Sequence, residues 1–162
     1  MGQYSDKILV TGHKNPDTDS ITSAITYSNF KNKLEGTDKY AAMRLGNVSD
    51  ETRYVLDYFN VAEPTLIEAP LEEGDKVILV DHNEKSQTVD GIENAEVLEI
   101  IDHHRIGSLE TMSPVFFRNQ PLGCTATIIY QMYQEAGVKV EPKIAGLLCS
   151  AIVSDTLLFR SP

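Results

Sequence analysis

Short apolar runs alternate along the chain with segments of helical periodicity. KILVT at 7–11, KVILV at 76–80 and AEVLEII at 95–101 are continuous runs rich in valine, isoleucine and leucine. Such runs are typical of strands buried on both faces, as in a parallel sheet. Weaker strand signals lie at YAAMRL, 40–45, and SPVFFR, 113–118. The last is either an edge strand or a strand that packs its two phenylalanines into the core.

Four segments have apolar residues three and four positions apart, as on one face of a helix. The first begins after the PDTDS turn at 16–20, and the second covers 52–59. The third ends at Gly137, and the fourth begins with Pro142. Because strand and helix signals alternate, we predict one α/β domain over 1–162, with a mainly parallel sheet and helices on both faces.

Acidic and histidine residues directly follow three of the predicted strands. GHKNPDTDS at 12–20 follows the first, DHNE at 81–84 the second and DHH at 102–104 the third, and these segments hold all four histidines of the chain. Ligands bind beyond the carboxyl ends of the strands in open α/β sheets. We therefore expect the three segments to meet at one edge of the sheet. Adjacent strand residues face opposite sides, so His103 and His104 are by themselves a weak ligand pair, but this arrangement allows one to bind a metal while the other faces the substrate.

Asp155 adds a fourth contribution, because it continues the apolar stripe of the last helix, seven residues after Leu148. A buried ionised carboxylate is costly unless it is paired with a cation or binds a metal. Pairing with Arg160 is one alternative. For Asp17 and Asp19 the alternative is a turn that caps a helix. The same chemistry at four places favours a metal site.

The donor types indicate which metals such a site would hold. Several carboxylates and imidazoles without thiolates suit Mn²⁺, Co²⁺ or Mg²⁺ better than structural Zn²⁺. The ligands are numerous enough for two ions. Two metals about 3.5–4 Å apart, bridged by a carboxylate and a hydroxide, are an arrangement known for attack on phosphorus.

Composition and charge narrow the classes of partner. The formal net charge is −10, which argues against nucleic acid but allows a small anionic substrate if divalent cations are bound. No apolar run is long enough to cross a membrane, and the first residues lack a secretory signal, so we expect a cytoplasmic protein without a membrane partner. Cys124 and Cys149 form no CxxC pair and are expected to be reduced residues of the packed interior.

GHKNPDTDS, VDHNE, IDHHR and SAIVSDTLLFRSP together resemble family II inorganic pyrophosphatases, which belong to the DHH phosphoesterase superfamily. The resemblance extends from residue 7 to the last residue and includes RLGNVSDETRYVLDYF at 44–59 and PLGCTATI at 121–128. DHH alone indicates only the superfamily, whereas GHKNPDTDS with VDHNE is more specific. The resemblance implies hydrolysis of pyrophosphate to two phosphates by a hydroxide that two Mn²⁺ or Co²⁺ ions activate, with further Mg²⁺ entering with the substrate.

The resemblance also implies roles for the candidate residues. His13 and Asp17 are the expected ligands of the first metal. Asp19, His103 and Asp155 are the expected ligands of the second. Asp81 is expected to bind both metals and is also catalytic. The resemblance implies that the catalytic His104 lies beside the phosphate groups and assists proton transfer. The residues expected to orient the ligands or to face the substrate are Asp102, His82 and Asn83.

Family II chains are roughly twice this length, and their second domain supplies a Ser-Arg-Lys-Lys motif and another lysine for the substrate. Neither is found here, so we expect this chain to be the metal-binding half and to have weak or no turnover alone. The resemblance also implies a homodimer through this domain, with 113–118 as a candidate edge. The alternatives are another DHH phosphoesterase, acting on oligonucleotides, nucleoside bisphosphate or polyphosphate, and a non-catalytic metal-binding or dimerisation module.

Overall fold

A computed structural model describes residues 2–161 and shows a parallel sheet with helices packed against it. The strands, in chain order, are β1 (Ile8–Thr11), β2 (Tyr40–Arg44), β3 (Thr65–Leu66), β4 (Lys76–Val80), β5 (Glu96–Asp102) and β6 (Phe116–Asn119). Their order across the sheet is β3-β2-β1-β4-β5-β6, and every neighbouring pair is parallel. The predicted α/β class and parallel sheet are confirmed. Only β3, which has two residues, was not predicted.

The four predicted helices are also present. They are α1 (Thr18–Glu35), α2 (Asp50–Tyr58), α3 (Thr125–Glu135) and α4 (Pro142–Asp155). Helix α1 begins where the Asp17 side chain accepts a hydrogen bond from the backbone N–H of Ser20, and it ends at Gly36, whose φ of 61° is left-handed. Gly137, also left-handed, follows α3, and Pro142 occupies the first turn of α4.

The α-helices lie on one face of the sheet, whereas helices were predicted on both faces; the helical segments on the other face are 3₁₀ turns. Val10, Ile78 and Ile101 pack with residues of α1, α3 and α4 in one core cluster. On the other face, Leu9 and Leu79 pack against residues from the connections between strands. The connection from β4 to β5 contains two 3₁₀ turns, Lys85–Gln87 and Ile92–Asn94, and no α-helix.

The chain reverses its direction across the sheet at β1 and β4. From β1 the chain moves to β2 and β3 on one side, and from β4 it moves to β5 and β6 on the other. Right-handed connections then place the segments that follow β1 and β4 on opposite faces. A crevice opens at such a switch point, beyond the carboxyl ends of the strands. Asp81 follows β4 directly, and His13 lies two residues after the end of β1.

The exposure of strand β6 and of the two cysteines can be compared with the predictions. Strand β6 is an edge strand, with Phe116 52% and Phe117 40% exposed, so the edge alternative is confirmed and the core alternative is not. Cys124 is buried, but Cys149 is exposed, which contradicts its expected place in the interior; both are free thiols. Within residues 2–161, no helix combines the length and the apolar character needed to cross a bilayer.

Candidate metal centre

The predicted ligands come together at the carboxyl edge of the sheet, although they belong to four separate parts of the chain. Potential ligand atoms form three groups, in each of which all atoms lie within 4.8 Å of one another. The groups are His13, Asp17 and Asp81; Asp19, His103 and Asp155; and Asp81, His103 and His104. The first two groups contain the ligand sets that the family resemblance implies, and Asp81 belongs to the first and the third group.

Asp81 lies between the two ligand sets. One carboxylate oxygen, Oδ2, is 3.3 Å from Nε2 of His13, and the other, Oδ1, is 3.3 Å from Nε2 of His103. Asp81 is buried, and its φ of 62° is left-handed, an uncommon conformation for a residue with a side chain. Such strained residues cluster at functional sites. The geometry suits a carboxylate shared by two ions.

His13 and Asp17 define the first side of the centre. Nδ1 of His13 donates to the carbonyl oxygen of Lys14, which leaves Nε2 facing Asp17, 3.6 Å away, and Asp81. Burial opposes the charge of His13, but its hydrogen bonds with Asp17 and Asp81 overcome this effect and raise its pKa to about 11. Asp17 does cap α1, as the structural alternative proposed, and the same carboxylate also faces His13.

Asp19, His103 and Asp155 define the second side. Asp19 is fully buried, and its pKa is raised well above the usual range by burial and by the nearby charge of Asp81. Burial, followed by the charges of Asp17 and Asp81, raises the pKa of Asp155 to about 6. Nδ1 of His103 donates to the carbonyl oxygen of Leu122, so its Nε2 faces Asp81 and Asp19.

His103 and His104 do not face opposite sides of the sheet, so that expectation was wrong. Strand β5 ends at Asp102, and both histidines belong to the loop that follows, with ring centroids 4.2 Å apart. His104 is half-exposed, and its Nδ1 hydrogen-bonds Oδ1 of Asp102 at 2.7 Å, which raises the pKa of His104. This contact leaves Nε2 of His104 free of a protein partner within residues 2–161.

Asp102, Asn83 and His82 are buried around these ligands. Asp102 accepts from the backbone N–H groups of His103 and His104, and Asn83 donates to its other oxygen at 2.5 Å. These contacts hold the loop after β5. His82 donates from Nδ1 to the carbonyl oxygen of Val80, and burial lowers its pKa to about 4, so its ring is neutral. Its Nε2 has no hydrogen-bond partner within residues 2–161.

Two further residues contact the centre and were not found from the sequence. The Thr125 hydroxyl donates to Oδ1 of Asp81 at 3.1 Å, and Ser20 Oγ accepts from the backbone N–H of His13. Gly12 permits the second contact, because a Cβ there would lie 1.9 Å from Ser20 Oγ. Threonine and serine in the first turns of helices are ordinary capping residues, so their types gave no signal of these contacts.

The charge balance of the centre calls for a cation. Within residues 2–161, the ion pairs of Asp17, Asp19 and Asp81 involve only histidines, and no arginine or lysine nitrogen lies within 4.0 Å of Asp155. The alternative pairing of Asp155 with Arg160 is therefore not present. Clustered, partly buried carboxylates whose ion pairs within residues 2–161 involve only histidines fit a divalent metal that prefers nitrogen and oxygen donors and displaces the protons of those imidazoles.

Two open cavities border the centre. The first, of about 500 Å³, adjoins the first ligand group, and the second, of about 400 Å³, adjoins the second group. Asp17, Asp81 and His104 line both. Arg105, which is largely exposed, is the only arginine or lysine found in the walls of either cavity within residues 2–161. A small ligand can therefore reach both ligand groups from solvent.

Comparisons with known proteins agree with this geometry. The sequence model described as "DHH family, N-terminal domain" matches residues 7–152. The chain is 54% identical over 157 residues to the manganese-dependent inorganic pyrophosphatase of Bacillus subtilis (strain 168), and 56% identical over 157 residues to a probable enzyme of the same name from Clostridium acetobutylicum. Each alignment covers 97% of this chain and 50% of the relative. The chain thus spans about half the length of these curated relatives.

Solved structures extend the comparison. A putative family II inorganic pyrophosphatase from Methanococcus jannaschii superposes with a TM-score of 0.85 at 44% identity, over 96% of this chain and 50% of that one. An exopolyphosphatase-related protein from Bacteroides fragilis superposes with a TM-score of 0.68 at 18% identity, over 97% of this chain and 49% of that one. The second likeness shows a shared fold only.

Proposed function

The chain belongs to the DHH family, and we propose that it is the metal-binding part of a manganese-dependent inorganic pyrophosphatase, which hydrolyses pyrophosphate to two phosphates. The observation that carries the proposal is the position of Asp81. Its two oxygens face histidines of different ligand groups at 3.3 Å each, as expected of a carboxylate shared by two ions. The names of the relatives support pyrophosphate as the substrate.

We propose the assignment of ligands to the two ions that the family resemblance implies. The residues for the first ion are His13, Asp17 and Asp81, and those for the second are Asp19, His103, Asp155 and Asp81. Mn²⁺ agrees with the names of the relatives, and Co²⁺ fits the same donors. Two such ions polarise phosphoryl oxygens and lower the pKa of water toward neutrality. Further Mg²⁺ is proposed to enter with pyrophosphate and to neutralise part of its charge.

His104 is the residue that we propose for proton transfer. Asp102 fixes its ring through Nδ1, raises its pKa and leaves Nε2 available at the edge of both cavities. A protonated His104 can hydrogen-bond a phosphate oxygen and give up the proton as charge develops there. Asn83 supports this role indirectly, because it holds Asp102 and the carbonyl oxygen of Arg105.

The centre holds few fixed positive charges for a substrate with several negative oxygens. We propose that residues 1–162 form the domain that carries the metal pair, and that the remaining half of the longer relatives supplies the cationic clamp. Phosphoryl transfer depends on such electrostatic stabilisation and on exclusion of water. The chain alone should therefore bind metal well and turn over weakly.

The test is phosphate release from pyrophosphate by this chain, loaded with Mn²⁺ and assayed with Mg²⁺, alone and after addition of the C-terminal half of a homologous enzyme. We expect weak release alone, a rise on addition, and loss of both in Asp81→Asn. A parallel assay with polyphosphate, a nucleoside bisphosphate and a dinucleotide measures specificity. Preference for one of these compounds would contradict the proposal that pyrophosphate is the substrate. Metal binding without phosphate release, both alone and with the added C-terminal half, would favour a non-catalytic module.

We also propose a homodimer through the exposed edge of β6. An edge strand offers unpaired backbone groups that a second copy can pair across a two-fold axis, and Phe116 and Phe117 would lose exposed apolar surface there. Light scattering should give the mass of a dimer, and Phe117→Lys should give a monomer. A monomeric mass for the unaltered chain at high concentration would contradict the dimer. The cytoplasmic location and the absence of nucleic-acid binding stay predictions.

A further inference from the structure

Thr125 connects the start of helix α3 to two carboxylates of the centre. It is the first residue of the helix and is fully buried. Its hydroxyl donates to Oδ1 of Asp81 at 3.1 Å, because an ionised carboxylate can only accept. Its backbone N–H donates to Oδ2 of Asp19 at 2.8 Å. One residue therefore orients two acidic side chains that come from different parts of the sequence.

The backbone of α3 contributes to the same arrangement. The N–H of Ala126 donates to Oδ1 of Asp19 at 3.0 Å, so both oxygens of Asp19 are held by the first turn of this helix. The first N–H groups of a helix have no partner within the helix, and the helix dipole favours negative charge there. Cys124, which precedes the helix, makes no side-chain cap. Asp19 serves as the cap although it lies on α1.

The contacts of Thr125 fall on one side of the centre only. Oδ1 of Asp81, which accepts from Thr125, faces His103, whereas Oδ2 faces His13. Asp19 also belongs to the group that contains His103. Among the hydrogen bonds of residues 2–161, none joins Thr125 to His13 or Asp17. Removal of the hydroxyl should therefore release Asp81 on the side of the second ligand group.

We propose that Thr125 is a positioning residue that sets the affinity of the second ligand group for its ion relative to the first. The proposal rests on the proposed two-metal centre. The Thr125 hydroxyl fixes the rotation of the Asp81 carboxylate, so that one oxygen is directed to each ligand group. Together with the backbone N–H groups of Thr125 and Ala126, which bind Asp19, this hydroxyl lets the first turn of α3 hold both Asp19 and Asp81. Without the hydroxyl, Oδ1 loses the donor that holds it toward His103, whereas Nε2 of His13 still faces the Asp17 carboxylate as well as Oδ2 of Asp81.

Thr125→Val tests this role, because it keeps the shape of the side chain and removes the donor. Loss of a group that orients a metal ligand typically costs about 10- to 100-fold in metal affinity. We expect a loss of that size in the Mn²⁺ binding step of the second group and a clearly smaller loss in the step of the first, which shares only Asp81 with the second. Thr125→Ser, which keeps the hydroxyl, should restore the second step. Asp155→Asn identifies that step, because it removes a ligand of the second group alone.

A matched control is Thr26→Val. Thr26 is also fully buried, but its hydroxyl has no hydrogen-bond partner within residues 2–161. The same chemical change at this position of α1 should leave both binding steps as they are. The comparison separates the loss of one specific donor from the general effect of replacing a buried threonine with valine.

The experiment is a calorimetric titration of the metal-free chain and its variants with Mn²⁺, with folding checked by circular dichroism. Fewer than two binding steps in the unaltered chain would count against the two-metal centre itself. Two steps in the unaltered chain, with both unchanged or equally weakened in Thr125→Val, would overturn only the role of Thr125. If Thr125→Val does not fold, Thr125→Ala must show the selective loss that Thr125→Ser does not, and equal behaviour of these two variants would overturn the proposal.

Discussion

Two clusters of acidic side chains in this molecule differ in how their negative charge is balanced. One is the metal centre, and the other, the Glu99 network, consists of Tyr27, Lys31, Glu35, Lys39, Tyr40 and Glu99. In the network, Lys31 lies 2.8 Å from Glu99, and Lys39 lies 2.8 Å from Glu35. Tyr27 donates to Glu99, and Tyr40 donates to Glu35. Hydrogen bonds from Lys39 and Tyr40 lower the pKa of Glu35 to about 2.

The carboxylates of the metal centre have no such cations within residues 2–161, and burial with mutual repulsion raises the pKa of Asp19 and Asp155. Both clusters contain carboxylates that accept hydrogen bonds, so the presence of carboxylates does not by itself indicate a metal site. What differs is the source of positive charge. The Glu99 network is neutralised by its own lysines and has a structural role, whereas the metal centre depends on a cation from outside. The following predictions test that distinction.

Asp81→Asn should have the largest effect. The variant removes the charge that both ligand groups share, so both Mn²⁺ binding steps should weaken by more than the roughly 100-fold upper cost of losing an orienting group. Calorimetric titration measures the loss. Glu99→Gln makes the same kind of change in the other cluster and should retain both steps. Retention of both steps in Asp81→Asn would remove the distinction between the clusters.

Mn²⁺ should stabilise the fold, because it binds the assembled ligands and not the unfolded chain. At a free concentration 100 times the dissociation constant, each site should add about 2.7 kcal/mol to the free energy of unfolding. Urea unfolding with and without Mn²⁺ measures the gain. It should persist in Glu99→Gln and disappear in Asp81→Asn. An equal gain in both variants would indicate that the ion binds elsewhere.

Glu99→Gln should lower the free energy of unfolding without weakening Mn²⁺ binding. Lys31 and Tyr27 would lose a charged partner in a place where both are mostly buried, and such a loss costs about 1–3 kcal/mol. Urea unfolding of the metal-free protein measures the cost. Glu110→Gln is the control, because Glu110 is exposed and makes no ion pair within residues 2–161. Equal stability of the two variants would show that the network contributes little.

The pH dependence of stability should show the smallest effect. The pKa of Asp155 is about 6 in the metal-free fold against an ordinary value of 3.8, so its ionisation opposes folding. Its contribution is fully present below pH 3.8 and is lost as pH rises through about 6. The free energy of unfolding of the unaltered chain, measured relative to Asp155→Asn, should therefore fall between pH 4 and 7.

Saturation with Mn²⁺ should remove this decline, because the ion favours the ionised carboxylate. Urea titrations at several pH values, with and without Mn²⁺, measure both effects. A relative stability that rises with pH in the metal-free protein would show that Asp155 already has a cationic partner in the chain.

The sequence predicted those features that depend on local patterns. The strands longer than three residues and all four helices follow from continuous apolar runs, helical spacing and residues such as Pro142 and Gly137. Histidines and aspartates directly after strands predicted which residues meet at the sheet edge, because parallel strands place their carboxyl ends together. Their roles as ligands stay predictions until metal binding is measured.

Features set by distant contacts or by exact boundaries could not be predicted. Periodicity shows that a helix has an apolar face but not which face of the sheet it covers, so the helices were expected on both. The directions of the His103 and His104 side chains depend on where β5 ends. The strand ends at Asp102, so both histidines belong to the loop and the alternation of a strand does not apply to them. Thr125 contacts Asp81 across 44 positions of sequence, and nothing in the neighbouring residues indicates that contact.

The most direct test of the central claim is the number of Mn²⁺ ions that the metal-free chain binds at saturation, counted by metal analysis after removal of free ion. The account predicts two ions per chain, because Asp81 presents one oxygen to each of two ligand groups. One ion or none in a folded chain would contradict it. The carboxylates of the centre would then resemble the Glu99 network, whose charge is balanced by residues of the protein itself.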